Sequence, residues 1–423
     1  MTTARRSPTP LWQLVLPLFL AAVAYFPILN NGFIADDYVV SENADALKAD
    51  PLHLFRIPPE NFRTTIHVTF GLLKAVAGYN ATLYYAFNIA LHATNILLLG
   101  YFLRLLAADP RVVFLATSFF AVLHAPQEAV MWLSGMTESL LAFFILLTLI
   151  SWTKGRPILA TFCFVGALFS KESAVVVLAA IPLLQIYRGK RPFTREYGLL
   201  LIPTVLAAII FLATWKTNPM ISFGLHKISG NALLVLGKSL HRLLWPWFYV
   251  LLFLNWLAVR SLPGWKTVGL LLGVVLLLMS PYMFITYGTA LPSRNLYLAS
   301  AALMTLFAIM VAHMKRSPLA TVFVIVFISF NIGYLWIRKD PQYVERAAPT
   351  TELLKALKNH RPERILVLGF PYANVEIARA AAMAAPGWNH DLVVIDVPPS
   401  ECSECPRLVW DARLGSYEER EPQ

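Results

Sequence analysis

Residues 11–38 read LWQLVLPLFLAAVAYFPILNNGFIADDY. An apolar run from Leu11 to Leu29 gives way to Asn30-Asn31-Gly32-Phe33-Ile34-Ala35, and Asp36-Asp37-Tyr38 follow at once. The run is about 19 residues, long enough to span a bilayer and long for the core of a signal peptide. Arg5-Arg6 and Ala22-Val23-Ala24 imitate the charged start and cleavage site of such a signal, but the length favours a retained first helix. Two adjacent carboxylates at the mouth of a bilayer are costly to leave partly desolvated, so they call for a cation, a proton or chemical work.

The rest of the chain extends this reading. Of its 423 residues 57% are hydrophobic and only 14% charged, where soluble domains carry about a quarter. The chain reads as an all-α polytopic membrane protein. The net charge of +11 is spread through short loops, which suits membrane orientation and leaves no block for nucleic acid. Three cysteines exclude a disulfide framework.

About eleven spans follow from the rule of roughly 20 residues per crossing. They fall near 11–29, 82–106, 111–124, 130–152, 157–170, 173–187, 197–214, 233–257, 267–286, 296–313 and 318–336, the third, fifth and sixth being short. With the N-terminus in the cytoplasm, every compact basic cluster between spans falls inside: Arg104 with Arg111, Lys154 with Arg156, Arg188 to Arg195, Arg260 with Lys266, and Lys315-Arg316. The odd count puts the C-terminus outside. The outer face then collects Asp36, Asp37, the loop 30–80 with Arg63 and His67, His124, Glu128, Lys171, Glu172, His226 and Arg294. An ion-coupled transporter would be expected to hold such groups near the midplane of two related halves. The layout suits chemistry at the outer surface on a membrane-bound substrate.

Within 30–80, Ala44–Phe55 and Ile66–Val76 are expected as in-plane helices walling a groove open to lipid, the first ended by Pro58-Pro59. Asp36 and Asp37 diverge as sequence neighbours, so one is expected to face the groove and the other a structural partner. Arg294 is a lone outer cation whose fork suits a phosphate. Lys171-Glu172 reads equally as a phosphate-binding lysine or as a local ion pair in a tight turn. Arg63 and His67 share a helix face. Asn88 and His92 do too, and such a pair is commonly helix–helix glue. His124 and Glu128 flank Pro126, and their spacing is not diagnostic of a metal.

Taken in order, these pieces resemble the GT-C membrane glycosyltransferases, and among them bacterial relatives of the transmembrane, TPR-bearing O-mannosyltransferases. The resemblance is carried by Asn31-Gly32-Phe33 leading to Asp36-Asp37, by Phe62-Arg63, and by Gly78 to His92. It continues through Glu128-Ala129-Val130 with Trp132 and Ser134-Gly135, then Ser170-Lys171-Glu172-Ser173-Ala174, and Arg294 with Tyr297-Leu298. It covers residues 25–185 well and 280–300 more loosely. Arg63-Thr64-Thr65 replaces the family's Arg-Pro-Leu, Tyr85 replaces a His, His124-Ala125-Pro126 separates the usual His-Pro, and Gly135-Met136 replaces Gly-Arg. The TPR repeats are absent.

The resemblance implies a GT-C-like module over 1–338 and an inverting transfer of sugar from a polyprenyl-phosphate donor to an acceptor hydroxyl, at the non-cytoplasmic face of a bacterial plasma membrane. Asp36 or Asp37, with a slight preference for Asp37, would act as base or position the acceptor. Arg294 and Lys171 would hold the donor phosphate. Arg63, His67, Glu128, Glu172, His124 and Tyr297 are further candidates. The partners implied are the lipid-linked sugar, membrane lipid, and a glycan, lipid or protein acceptor. No cofactor is obligatory and no metal ligands are assigned, although paired acids can hold a divalent ion such as Mg2+ or Mn2+. The competing reading is a flippase or transporter of a lipid-linked sugar. Residues 339–423 read as a small outer α/β segment: helices at Glu352–Lys358 and Asn374–Ala385, strands at Ile365–Leu368 and Leu392–Val397, and a Cys402–Cys405 disulfide expected outside the cytoplasm.

Overall fold

The computed structural model describes residues 11–50, 63–213, 216, 224–227, 229–259, 263–315, 317–360, 363–396, 402 and 405–420. The chain is mostly helical, with several apolar helices and a small C-terminal sheet. Among the described residues, seven helices are long and apolar enough to cross a membrane, or eight if the bent pair Ala232–Leu244 and Trp247–Val259 is one span. That pair turns by 55° at Trp245-Pro246, where proline supplies no N–H to continue the ladder. The expected short spans at 111–124, 157–170 and 173–187 appear as the shorter apolar helices Pro110–Val122, Pro157–Ser170 and Glu172–Tyr187. A count of eleven needs all three of them.

The loop 30–80 holds the two helices expected to lie in the membrane plane, with one shift from expectation. The first runs Asp36–Ala49 instead of starting at Ala44. Its acids explain the earlier start. Asp36 and Asp37 occupy the first turn, where exposed N–H groups favour negative charge, and the Ile34 N–H donates to Asp37 Oδ2 at 2.8 Å. Residues 51–55 and Pro58-Pro59 lie outside the described residues. The second helix, Thr64–Ala77, packs on the first. The Lys74 ammonium joins them by donating to Asp45, and also donates to the Tyr79 hydroxyl at 2.8 Å. Val68, Leu72 and Val76 stand exposed at four-residue spacing along its far side.

The last helix is longer than the sequence suggested. Pro318–Lys358 is one continuous helix of 41 residues, carried through a π-turn at Leu335–Lys339. At 1.5 Å per residue it reaches about 60 Å, twice the bilayer's hydrocarbon thickness. Arg338-Lys339-Asp340-Pro341 reads as a span end, yet the chain continues through it. The proline ring would press on the carbonyl four residues back. That residue, Ile337, lies in the wider π-turn.

The helix then carries the tail. Strands β1 (Ile365–Leu368), β2 (Val393–Ile395), β3 (Arg407–Asp411) and β4 (Ser416–Arg420) form one sheet in the order β2-β1-β3-β4. β1 is parallel to β2 and β3, while β4 returns antiparallel. Helix Glu376–Ala382 makes the β1–β2 crossover and packs on the first in-plane helix. Cys402 and Cys405 are disulfide-bonded. The sequence reading found β1, β2 and the crossover helix but not β3 and β4, which are short and end in charged residues. Tail and bundle are tightly joined: the Thr350 hydroxyl donates to the Phe33 carbonyl at 3.1 Å, and the Trp336 Nε1–H donates to the Val23 carbonyl at 3.0 Å.

Candidate active site

Ala35 sits at φ 44°, ψ −108°, a strained conformation for a residue with a Cβ. It turns the chain from the first span into the in-plane helix and sends the two acids apart. Asp37 points inward and is fully buried. Its Oδ1 accepts from the Ser134 N–H at 2.7 Å and the Ser134 hydroxyl at 2.6 Å, while Oδ2 accepts from Ile34. Burial pushes Asp37 up to about 7, against the pull of those hydrogen bonds and with Asp36 adding to the rise. Asp36 points outward and is exposed. Partial desolvation raises it above the ordinary carboxylate value, and Arg294, Arg346 and Arg63 act in the opposite direction. Asp37, the slightly preferred of the two, has its oxygens engaged in holding two loops together, and Asp36 is the accessible one. The two neighbours diverge, and Asp37 accepts from three donors. Among the described residues no three His, Cys, Asp or Glu side chains cluster as metal ligands.

The partner loop runs from the short helix Glu128–Met131 to Gly135. Asn88 holds it from below, donating from Nδ2 to the carbonyls of Ala129 at 3.0 Å and Val130 at 2.9 Å. The loop closes so tightly that a Cβ on Gly135 would lie 2.1 Å from the Glu128 carbonyl oxygen. Glu128 and Trp132 are thereby presented to Arg294 and Arg346. Arg294 Nη1 donates to Glu128 Oε2 at 3.3 Å, and its guanidinium carbon lies 4.8 Å from the Trp132 ring centroid. Arg346, on the tail helix Asp340–Lys358, lies 4.8 Å from the same centroid and 3.9 Å from Glu128 Oε1. The Tyr372 hydroxyl, from the loop after β1, donates to the Arg346 carbonyl.

Lys171 takes a different place from the one expected. It is buried and ion-paired with Glu138. Its ammonium also donates to Asn295 Oδ1 at 3.2 Å and lies 4.6 Å from the centroid of the Tyr282 ring. The Tyr282 hydroxyl donates to the other Glu138 oxygen at 2.9 Å. Burial draws the lysine down from its ordinary value, against the pull of Glu138. The alternative of a local pair with Glu172 gives way to a long-range pair with Glu138. Glu172 is exposed within the field of Arg63.

The remaining candidates divide between the site and its supports. Arg63 is half-buried at the start of the second in-plane helix, close enough to Asp36 to oppose its rise. His67, one turn on, is buried between the in-plane helices. Burial lowers it to about 4, so it is a neutral imidazole. His124 is locked into the bundle, its N–H and Nδ1 both facing Asn331 Oδ1 at 2.9 and 2.6 Å. Tyr297 is fully buried, its hydroxyl 2.6 Å from His92 Nδ1 and 3.2 Å from Asn95 Nδ2. Glu128, Arg294 and Arg346 are thus brought together on Trp132, Asp36 lies in the field of Arg294, Arg346 and Arg63, and His124, Tyr297 and Lys171 are held by partners inside the bundle. The sequence reading missed Arg346, Glu138 and Tyr372. Arg346 lies within a tail segment that reads as soluble, and Glu138 follows directly on the loop that the motif Glu128 to Gly135 marks.

No family model and no curated protein matches the chain. Two crystal structures of the oligosaccharyltransferase of Archaeoglobus fulgidus match it at 11% identity. One is the apo form, with TM-score 0.48 over 90% of this chain. The other is tethered to an acceptor peptide through a disulfide bond, with TM-score 0.46 over 89%. This chain spans 64% of the length of that protein, and at this distance the likeness leaves the function to be argued from the site itself.

Proposed function

We propose that the protein is an inverting glycosyltransferase that moves a sugar from a polyprenyl-phosphate donor to an acceptor hydroxyl at the non-cytoplasmic membrane face. The observation that carries this reading is the accessible Asp36 carboxylate in the field of Arg294, Arg346 and Arg63. A carboxylate and cations around one space are what a single displacement at an anomeric carbon requires. The acceptor oxygen forms its bond to the anomeric carbon as its proton passes to Asp36. The bond from that carbon to the donor phosphate oxygen breaks with its electron pair, and the added charge on the phosphate is stabilised by Arg294. Asp37 keeps the Asp36 turn in register with the Ser134 loop. Lys171, paired to Glu138, braces Asn295 and so positions the neighbouring Arg294. With the three shorter apolar helices counted as spans and the N-terminus taken as cytoplasmic from the loop charges, eleven crossings would put the site and tail outside.

Purified protein given a labelled polyprenyl-phosphate sugar and a mixed pool of acceptors tests the reading. Asp36→Asn should lower transfer by roughly 10²–10⁴-fold, the usual contribution of a general base. Undiminished transfer by that variant would remove Asp36 from the mechanism. If no donor turns over while Asp36→Asn still moves lipid-linked sugar across vesicles, the flippase reading replaces this one.

A further inference from the structure

Arg294 and Arg346 have more donors than their acidic neighbour uses. Each guanidinium carries five N–H groups in a planar fork. Among the described residues, each side chain makes one single-point contact with Glu128, at 3.3 Å from Arg294 and 3.9 Å from Arg346. Settled charge-assisted pairs close to about 2.7–2.9 Å, often through two parallel bonds. All three side chains stay partly exposed, Arg294 at 26%, Arg346 at 36% and Glu128 at 20%. The forks are nonetheless held in place. Both rest on the Trp132 ring, and Arg346 also lies 5.2 Å from the Tyr343 centroid. The Arg294 N–H also donates to Glu128 Oε2 at 3.4 Å, and Tyr372 holds the Arg346 carbonyl.

We propose that Arg294 and Arg346 form a two-arginine clamp for the phosphate of a lipid carrier, a diester while the sugar is attached and a monoester once it has left, in which the Glu128 carboxylate is a resident anion that the phosphate displaces. One carboxylate oxygen faces each arginine, the arrangement two phosphate oxygens would take. The naming of that phosphate as the polyprenyl donor's rests on the function proposed above. The new element is that the tail helix supplies half of the donor site, so the tail is part of the catalytic centre and not an appendage to it.

The test reads binding without turnover. Full-length protein in nanodiscs is titrated with polyprenyl monophosphate while tryptophan fluorescence is followed, with Trp132→Phe identifying the Trp132 signal. Arg294→Ala and Arg346→Ala should each weaken binding about tenfold or more, and Arg346→Lys, which keeps the charge but loses the fork, should fall between. Glu128→Gln should tighten binding about three- to tenfold by removing the competing carboxylate, an outcome that a merely structural ion pair does not produce. Binding unchanged in both Arg346 variants, or weakened in Glu128→Gln, overturns the clamp. Parallel titrations with phosphatidic acid and inorganic phosphate identify the source. A response to either as strong as that to polyprenyl phosphate overturns the assignment to a donor lipid. The clamp fails alone if wild type transfers sugar while Arg346→Ala binds normally. The proposed function fails alone if binding depends on Arg346 but no sugar moves.

Discussion

Two neighbouring aspartates, consecutive in the first turn of one helix, face opposite surroundings because of the direction in which Ala35 sends them. Asp36 must be ionised to accept a proton, so transfer should decline as pH falls through its raised pKa. Its nearby cations hold that value down. Replacing Arg63 by Gln should therefore move the acid limb of kcat/KM to higher pH, and a limb that stays in place would detach Arg63 from Asp36. Asp37 should answer to a different measurement. Asp37→Asn puts an amide N–H2 against one of its three donors, which should cost about 1–3 kcal/mol of stability. Thermal unfolding in detergent reads this directly. Loss of turnover with an unchanged unfolding temperature would return Asp37 to the chemistry.

Among the elements, the Glu128 to Gly135 loop and the Lys171–Glu138 pair set the shape of the site. A methyl group on Gly135 would collide with the Glu128 carbonyl at 2.1 Å. Gly135→Ala should thus displace Glu128, Trp132 and Ser134 together and abolish transfer, with phosphate binding lost in parallel. Lys171→Met leaves Glu138 buried and unpaired, which should cost about 3–5 kcal/mol, whereas Lys171→Met with Glu138→Leu should recover most of it. A double variant no more stable than the single would mean that Lys171 acts beyond this pair. These supports also show what was legible in the sequence. The residues of the Asp36 turn and of the Glu128 loop stood out because polar groups at a span's edge are few and local. Lys171 was visible for the same reason, but its partner Glu138 is 33 positions away, and pairing across such a separation is decided by helix packing that no local pattern encodes.

For the molecule as a whole, the long apolar helices were legible because about 20 apolar residues leave a strong signal, and the tail was read poorly because its strands are only 3–5 residues long. Arg346 was invisible for a topological reason: Arg338 to Pro341 reads as a boundary, and the helix passes through it. Tail and bundle meet most closely at Gly32, where a Cβ would lie 2.5 Å from Thr351 Oγ1. Gly32→Ala should destabilise by about 1–3 kcal/mol, the usual penalty for overpacking. Thr351→Ala in the same chain should restore the unfolding temperature, and no rescue would place the docking surface elsewhere.

The 41-residue helix makes the site answerable to the bilayer itself. Its lower half is apolar enough to cross a membrane and its upper half carries Arg346. A thicker or thinner bilayer changes the tilt of a span at modest cost, and along about 60 Å of helix even a small tilt loads the Thr350–Phe33 bond that docks the Arg346 segment on the bundle. Arg294 starts a different helix and does not carry that load. Acyl-chain length therefore becomes a control on the spacing of the two arginines, and turnover in nanodiscs of graded thickness should pass through an optimum.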